Sequence, residues 1–256
     1  MSRADKAAEI LWSAWQSSRR MDALPEACRP RDLDEGYAVQ AALGALAGRH
    51  FGWKIAATSA AGQRHIGVTA PLTGPLFERF ALEGGARIAA GDLHMAVAEP
   101  EFAFRFARSI RPGDAHDREA VLAAVGKLHL AIEVPDSRFE DFARASAPQL
   151  VADAACARWF VLGREAKGWR GRDLAAVPVT IGDDAGTVHE GSGANALGDP
   201  RTALAWLVAD RLDRGIAIEA GCVVTTGTCA APLPIAPGRI VTARFGDLGR
   251  VAVVFV

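Results

Sequence analysis

The fold is decided by the stretch Glu99-Pro100-Glu101-Phe102-Ala103-Phe104-Arg105-Phe106, in which phenylalanines alternate with other residues. Side chains two positions apart on a β-strand share a face. The three phenylalanines can therefore fill a core while Glu99 and Glu101 point together to the opposite face. The proline cannot donate to a strand ladder, which indicates a strand start, an edge or a bulge.

A second alternating stretch, residues 128–138, ends in Glu133-Val134-Pro135-Asp136-Ser137-Arg138. Its large aliphatic side chains share one face, and Glu133 lies on the other. Like charges placed side by side repel unless a cation lies between them. Three convergent carboxylates are ligands suited to Mg²⁺, Mn²⁺ or Ca²⁺. The residues alone leave two interpretations open, a metal site and an ordinary strand pair whose acids face water.

Length and composition bound the class of protein. The 256 residues can form one large domain or two unequal ones. Half of the residues are hydrophobic and the formal net charge is −1, with no basic face or charge run. This balance argues against nucleic acid or an anionic membrane as a partner.

The cysteines and the chain start indicate a reducing compartment. Cys28, Cys156, Cys222 and Cys229 form no Cys-x-x-Cys pair of the kind found in zinc or redox sites. The first residues are charged and helical in character, unlike a signal peptide. No apolar run approaches the length needed to cross a bilayer. We therefore expect a cytoplasmic protein with reduced cysteines.

The order of elements favours an α+β fold. Two helices are predicted in the first fifty residues, the second capped by Asp32 or Asp34 and ended by Gly48. Residues 51–58 then change to a period of two, and most later segments are strands punctuated by turns. A late helix starts at Asp199-Pro200, with aspartate as the N-cap and proline in the first turn. Strands and helices do not alternate regularly, which argues against a doubly wound sheet.

Lys54 is the first candidate outside the carboxylates. On the predicted strand it faces away from the apolar row formed by Phe51, Trp53 and Ile55. A lysine held near a cation or in a dry pocket can act as an acid or a base. A solvated lysine that lies along the surface explains the same pattern, and both interpretations remain open.

Two loops offer backbone donors for a substrate. Residues 191–198 superficially match a dinucleotide-binding pattern, but the following helix begins too late to hold a pyrophosphate. N–H groups at Ser192 and Gly193 could instead bind a substrate oxygen, or the glycines could serve turns alone. Thr226 and Gly227 offer donors of the same kind and have the same alternative.

Several short motifs occur in one order from about Leu33 to the C-terminus. They are Gly52–Ser59, Gly67-Val68, Pro75-Leu76-Phe77, Glu99-x-Glu101, Glu133-x-x-Asp136-Ser137-Arg138, Asp153, Phe160–Gly163, residues 191–198 and Pro237-Gly238. Together they resemble the 2-keto-4-pentenoate hydratases and 4-oxalocrotonate decarboxylases of the fumarylacetoacetate hydrolase superfamily. Each motif alone is weak, and their shared order is what makes the resemblance specific.

The resemblance implies a fold and a cofactor. The fold is α+β, with a smaller α-rich region at residues 1–75 and a larger mixed β-roll catalytic domain at residues 76–256. The cofactor is Mg²⁺ or Mn²⁺, held by Glu99, Glu101 and Glu133. Members of the family are commonly homo-oligomers that act on small 2-oxo acids.

The resemblance also implies an activity, the addition of water to an unsaturated 2-oxo acid of the 2-hydroxypenta-2,4-dienoate type through a metal-bound enolate. Lys54 and Asp136 take catalytic roles in this scheme. Lys54 either moves protons or binds the substrate carboxylate. Ser192, Gly193, Thr226 and Gly227 are the expected substrate-binding residues.

The chain departs from the family pattern around the site, and other activities therefore remain open. Ala56-Ala57 stands where relatives often carry Gly-Leu, and Asp153-Ala154-Ala155-Cys156 stands where many carry Asp-Asn-Ala-Ser. The alternatives are decarboxylation of a vinylogous 2-oxo diacid, C–C hydrolysis of an acylpyruvate, and an inactive paralogue that acts as a partner subunit. A diacid would need an additional cation in the pocket, for which Arg64, Arg79 and Arg138 are the candidates.

Overall fold

The computed structural model describes all 256 residues, and none of its helices is both long and apolar enough to be a membrane span. The helices are α1 (Arg3–Ser17), α2 (Leu33–Ala47), α3 (Ala60–His65), α4 (Arg118–Ala124), α5 (Ala147–Ala152) and α6 (Pro200–Asp213). The strands are β1 (His50–Ala56), β2 (Leu72–Phe77), β3 (Ala81–Glu83), β4 (Arg87–Ile88), β5 (Val97–Phe106), β6 (Val125–Val134), β7 (Trp159–Glu165), β8 (Pro178–Asp183), β9 (Val188–Ser192), β10 (Val223–Thr225), β11 (Leu233–Pro234), β12 (Ile240–Phe245) and β13 (Arg250–Phe255).

Two mixed sheets build the larger part of the molecule. The first has the order β2-β1-β10-β5-β6-β7-β3, with β11 paired to β5, and the second has the order β4-β13-β12-β8-β9. Their facing sides share one apolar core, in which the rings of Phe102 and Phe245 lie 5.0 Å apart. Parallel and antiparallel pairs occur in both sheets, and the helices lie at separate places along the chain. The predicted α+β class is confirmed.

The N-terminal helices form a second apolar cluster with α5. Leu11 and Trp15 of α1 pack with Leu43 of α2 and Leu150 of α5. Of the two predicted caps of α2, Asp32 is the one whose side chain accepts from a backbone N–H of the first turn, and Asp34 lies within the helix. The predicted end is confirmed, because Gly48 follows the last helical residue.

The large sheet begins before residue 75. Strand β1 lies between β2 and β10, parallel to β10, so residues 50–75 belong to the sheet that also contains β5 and β6. A side chain at Gly52 would put its Cβ 2.0 Å from the Val223 carbonyl oxygen, and glycine permits this close strand approach. No local sequence pattern predicts a pairing between strands so far apart in the chain. The division into residues 1–75 and 76–256 stays a prediction.

Candidate metal centre

Three glutamates share one face of the β5–β6 pair. Glu99 lies directly opposite Glu133 in the antiparallel register, and Glu101 follows two residues along β5. One oxygen from each carboxylate can be chosen so that all three lie within 4.8 Å of one another. Phe102 and Phe104 are fully buried in the core on the other face, as the alternation predicts.

The carboxylates are buried but poorly satisfied. Glu101 and Glu133 are 0% and 1% exposed, whereas Glu99 is partly open to the cavity described below. The Gly227 N–H donates to Glu101 Oε2 over 3.3 Å, but Glu101 Oε1 and Glu133 Oε2 accept no hydrogen bond, and Glu133 Oε1 makes only an ion pair with Lys54. Unsatisfied buried carboxylate oxygens are costly. Three hard oxygen ligands on one face match the preference of Mg²⁺ and Mn²⁺, so these residues fit a divalent cation.

Lys54 supplies the one side-chain cation that contacts the triad. It reaches the site from β1 and is 3% exposed. Its Nζ lies 3.1 Å from Glu133 Oε1 and donates to the Ala155 carbonyl oxygen over 2.9 Å. One ammonium beside three carboxylates leaves the site with excess negative charge, which a divalent cation would neutralise.

The pKa values of the cluster reflect this charge. Burial, reinforced by the charge of Glu133, raises the pKa of Glu99 to about 7. Burial and the neighbouring carboxylates also raise the pKa of Glu101 well above its usual range, and burial raises that of Glu133. For Lys54, burial alone would lower the pKa, but the charges of Glu133 and Glu99 outweigh it and hold the pKa above the ordinary lysine value.

A tight turn aims the Ala155 carbonyl at Lys54. Ala154, Ala155 and Cys156 all have left-handed backbone angles, with φ of 53°, 51° and 63°. L-residues with side chains rarely adopt this conformation, and it persists where the surrounding structure enforces it. The turn packs closely against β2, since a Cβ at Gly74 would lie 2.1 Å from the Ala154 carbonyl oxygen. Sequence reasoning missed this acceptor because a backbone carbonyl has no residue signature.

A cavity of about 640 Å³ opens beside the triad, with Lys54 and Glu99 on its wall. Of its 24 lining residues, 14 are hydrophobic, so the wall is mainly apolar. The larger apolar side chains include Ile66, Leu72, Met95, Val97, Phe142 and Leu150. Asn195 and Thr228 also line it. They lie in or beside the two predicted loops but were not among the expected substrate-binding residues. Such a concave, largely apolar pocket with a few convergent polar groups is typical of a small-molecule site.

Asp136, the second residue expected to be catalytic, lies outside the cavity. Its carboxylate accepts from the backbone N–H groups of His94 and Met95 at 2.8 and 3.0 Å. It also pairs with Arg20 at 2.5 Å. The alternation ends at Pro135, after which the chain turns the acid toward the segment before β5. Asp136 thus anchors the segment that leads into Glu99, and its expected catalytic role stays a prediction.

The two predicted loops also differ in placement. Ser192 and Gly193 do not line the cavity, because Gly193 packs against the backbone of Leu174, whose carbonyl oxygen would lie 1.9 Å from a Cβ there. Thr226 donates its hydroxyl to the Phe102 carbonyl, and Gly227 contacts Glu101 as described. The second loop thus contacts the carboxylate triad. In the first loop, Gly193 packs against the Leu174 segment, and only Asn195 lines the cavity.

The fold and the site together define an enzyme of the fumarylacetoacetate hydrolase superfamily. The fold matches 4-oxalocrotonate decarboxylase from Pseudomonas putida G7, complexed with magnesium and adipate, with a TM-score of 0.89 and 27% identity. That alignment covers 100% of this chain and 99% of the other. A putative fumarylacetoacetate hydrolase family protein from Yersinia pestis CO92 shares the fold at 13% identity, with a TM-score of 0.59 over 80% of this chain and 92% of the other.

Sequence comparison gives the narrower family, although no family model matches the chain. The chain is 33% identical to 2-keto-4-pentenoate hydratase of Burkholderia vietnamiensis over 96% of its length and 94% of the relative. It is 31% identical to 4-oxalocrotonate decarboxylase of Pseudomonas sp. (strain CF600) over 80% of its length and 77% of the relative. The chain belongs to the 2-keto-4-pentenoate hydratase family, which confirms the resemblance and the prediction of an enzyme of hydro-lyase type.

Proposed function

We propose that this chain is a metal-dependent hydratase that adds water to an unsaturated 2-oxo acid of the 2-hydroxypenta-2,4-dienoate type. The product is a 4-hydroxy-2-oxo acid. The observation that carries the proposal is the set of three clustered carboxylates, two of them with unpartnered buried oxygens, beside a buried lysine on the wall of an apolar cavity. The hydratase names of the relatives matched along nearly the whole chain support it.

Glu99, Glu101 and Glu133 are the residues that would hold Mg²⁺ or Mn²⁺. Magnesium has support from the decarboxylase of Pseudomonas putida G7, which is complexed with that ion, and manganese shares its preference for carboxylate oxygen. When bound, the cation supplies a positive charge that favours the enolate form of a 2-oxo acid. The Gly227 N–H fixes the orientation of the Glu101 carboxylate for this role.

Lys54 is the proposed catalytic residue. Its ammonium carries three N–H donors, and the contacts with Glu133 and Ala155 use two of them. One donor is left for a molecule in the cavity that Lys54 lines. There it would bind the substrate carboxylate or give a proton to the substrate.

Polar groups on the cavity wall would orient the substrate. Asn195 donates an amide hydrogen to the Cys229 carbonyl, and its other amide atoms stay free to pair with a substrate oxygen. The Thr228 hydroxyl donates to the Ala230 carbonyl and can still accept. We therefore propose Asn195 and Thr228 for the substrate-binding role first expected of Ser192 and Gly193.

Decarboxylation is the second candidate activity, because the decarboxylase of Pseudomonas putida G7 matches the whole fold. An assay followed by NMR separates the two. The purified chain with Mg²⁺ is given 2-hydroxypenta-2,4-dienoate and, in parallel, 2-oxohex-3-enedioate, each with and without chelator. We expect metal-dependent 4-hydroxy-2-oxopentanoate from the first compound. CO₂ release from the second without hydration of the first would contradict the hydratase proposal and favour the decarboxylase.

We also propose that the chain works in the cytoplasm as a homo-oligomer. The four free cysteines, three of them buried, are compatible with a reducing compartment, and the family resemblance supports assembly. Light scattering coupled to size-exclusion chromatography tests the assembly. A mass of 27.0 kDa at micromolar concentration would contradict it.

A further inference from the structure

The cavity is larger than the substrate suggested by the names of the relatives. A five-carbon 2-oxo acid has eight non-hydrogen atoms, which fill about 240 Å³ if each takes the ~30 Å³ of a liquid water molecule. The cavity measures about 640 Å³. With the acid end at Lys54 and the triad, more than half of the space remains for the other end of the molecule.

This remaining space is apolar. Leu72 and Leu150 contribute fully buried side chains to the wall, and Phe142 and Met95 add partly buried ones. The Phe142 ring packs edge-on against the imidazole of His65, with the centroids 5.6 Å apart. Apolar walls bind apolar groups because burying them removes their surface from water.

No arginine lines the cavity. Arg138 is buried under the Trp15 ring and paired with Asp153, and Arg79 stacks over Trp12 and donates to a backbone carbonyl. Arg64 is exposed on α3 and is not among the lining residues. Lys54 is taken up by Glu133 and by the acid end of the substrate. The other basic side chain on the wall is the His65 imidazole, which packs against the Phe142 ring, so a second substrate carboxylate would meet no permanent cation. Burying a carboxylate without a partner is strongly unfavourable.

We propose that the substrate of this site is a 2-oxo monoacid, or its dienol form, with an uncharged apolar tail that extends beyond the fifth carbon. This inference rests on the proposed function, since it places the oxo acid end at the triad. It excludes a dicarboxylate as the preferred ligand. The tail lies in the apolar part of the cavity, and the specificity for it comes from this wall.

Calorimetric binding of saturated analogues, which cannot be hydrated, tests the inference in the presence of Mg²⁺. The length series is 2-oxopentanoate, 2-oxohexanoate and 2-oxooctanoate, and the charged counterpart is 2-oxohexanedioate. We expect affinity to rise about threefold per added methylene. We expect 2-oxohexanoate to bind at least about tenfold more tightly than 2-oxohexanedioate.

A matched pair of variants on α3 locates the tail. Ala61 lines the cavity but is exposed, so Ala61→Trp can fill part of the space without disturbing the core. Its neighbour Ala60 is exposed and does not line the cavity, which makes Ala60→Trp the control. We expect Ala61→Trp to remove most of the affinity gained between 2-oxopentanoate and 2-oxooctanoate, and Ala60→Trp to retain it.

The outcomes separate this inference from the proposed function. If 2-oxopentanoate fails to bind in a Mg²⁺-dependent way, the proposed function fails and the inference falls with it. If it binds but longer tails add no affinity, or the diacid binds as tightly as 2-oxohexanoate, the tail inference is overturned while the proposed function stands. If Ala61→Trp leaves the gain in affinity from 2-oxopentanoate to 2-oxooctanoate unchanged, the inference is also overturned.

Discussion

Glu101 is the residue at which the conflict between burial and charge is sharpest. Its side chain is fully buried, one carboxylate oxygen accepts from Gly227 and the other has no partner. Removing a carboxylate from water in this way costs several kcal/mol unless a cation compensates it. A chain without a metal site would gain stability by losing this charge, which is the physical reason to assign the residue to metal binding.

The first prediction is that Glu101→Gln weakens Mg²⁺ binding at least about a hundredfold. Replacing residues that only contact metal ligands already lowers metal affinity by about 10–100-fold. The metal-free variant should unfold at the same temperature as the wild type or a higher one, because a like charge is gone. Titration calorimetry and thermal unfolding measure the two effects. Glu83→Gln, an exposed acid on β3, is the control and should change neither. Unchanged Mg²⁺ affinity in Glu101→Gln would refute the ligand assignment.

The second prediction concerns pH and Glu99, whose pKa in the metal-free protein is raised from 4.5 to about 7. A carboxyl group whose pKa is higher in the folded than in the unfolded state adds stability to the fold. This stability is fully present below the unfolded-state pKa and is lost as pH rises through the folded-state pKa. The free energy of unfolding of metal-free wild type should therefore fall by about 1–3 kcal/mol between pH 5 and pH 8, relative to Glu99→Gln.

Urea unfolding of both proteins in chelator at the two pH values measures this difference. The subtraction removes the pH dependence that the two proteins share. If the wild type instead gains stability relative to Glu99→Gln as pH rises, the Glu99 carboxylate is not crowded by Glu133 and the prediction is contradicted. Saturating Mg²⁺ should abolish this fall in the wild type's free energy of unfolding between pH 5 and pH 8, because the bound cation keeps Glu99 ionised.

At the scale of elements, the sequence predicted the strands of the site but not the turns between them. The period of two in β5 and β6 was sufficient to place Glu99, Glu101 and Glu133 on one face, because side-chain direction on a strand is fixed locally. Asp136 lies beyond Pro135, where the period ends, and its direction depends on Arg20, a residue far away in the chain. The Ala155 carbonyl acts through the backbone, so its residue type gave no signal for it. Gly227 was predicted as a backbone donor, but not as the partner of Glu101.

The third prediction tests the turn that carries Gly227. Its φ is 84°, and a Cβ there would lie 2.4 Å from the Thr58 hydroxyl, so Gly227→Ala adds both backbone strain and a clash beside Glu101. We expect a loss of at least about 2 kcal/mol in the free energy of unfolding and a fall in Mg²⁺ affinity. Gly238→Ala is the matched control, since Gly238 has a φ of 80° with open space around it.

The control should cost only about 1 kcal/mol and leave Mg²⁺ affinity unchanged, because it isolates the cost of the left-handed backbone. Urea unfolding and calorimetry report the two quantities. Equal losses in both variants would show that Gly227 has no contact of consequence with Thr58 or the triad.

At the scale of the whole molecule, one buried ion pair joins the helical cluster to the sheet. Asp153 accepts from Trp15 of α1 over 3.3 Å, from the Ser137 hydroxyl over 2.9 Å, and from Arg138 through both backbone and side chain. Ser137 and Arg138 follow β6, the strand that carries Glu133. The packing of α1 and α5 therefore fixes the position of the segment that leaves the metal site.

The fourth prediction is that Asp153→Ala lowers the free energy of unfolding by about 3–5 kcal/mol, since it leaves the buried Arg138 without its partner. Urea unfolding measures the loss. The exposed Asp22→Ala is the control and should remain within about 0.5 kcal/mol of the wild type. A change of similar size in both variants would contradict the role of Asp153 as the link between the two parts.

The central claim is that Glu99, Glu101 and Glu133 hold a divalent cation at the wall of the cavity. Anomalous diffraction from crystals grown with Mn²⁺ and 2-oxopentanoate tests it most directly. We predict a single strong anomalous peak within about 2.0–2.2 Å of one oxygen from each of the three carboxylates, with the oxo acid beside it. A peak at another group of residues, or none at saturating Mn²⁺, would contradict the account.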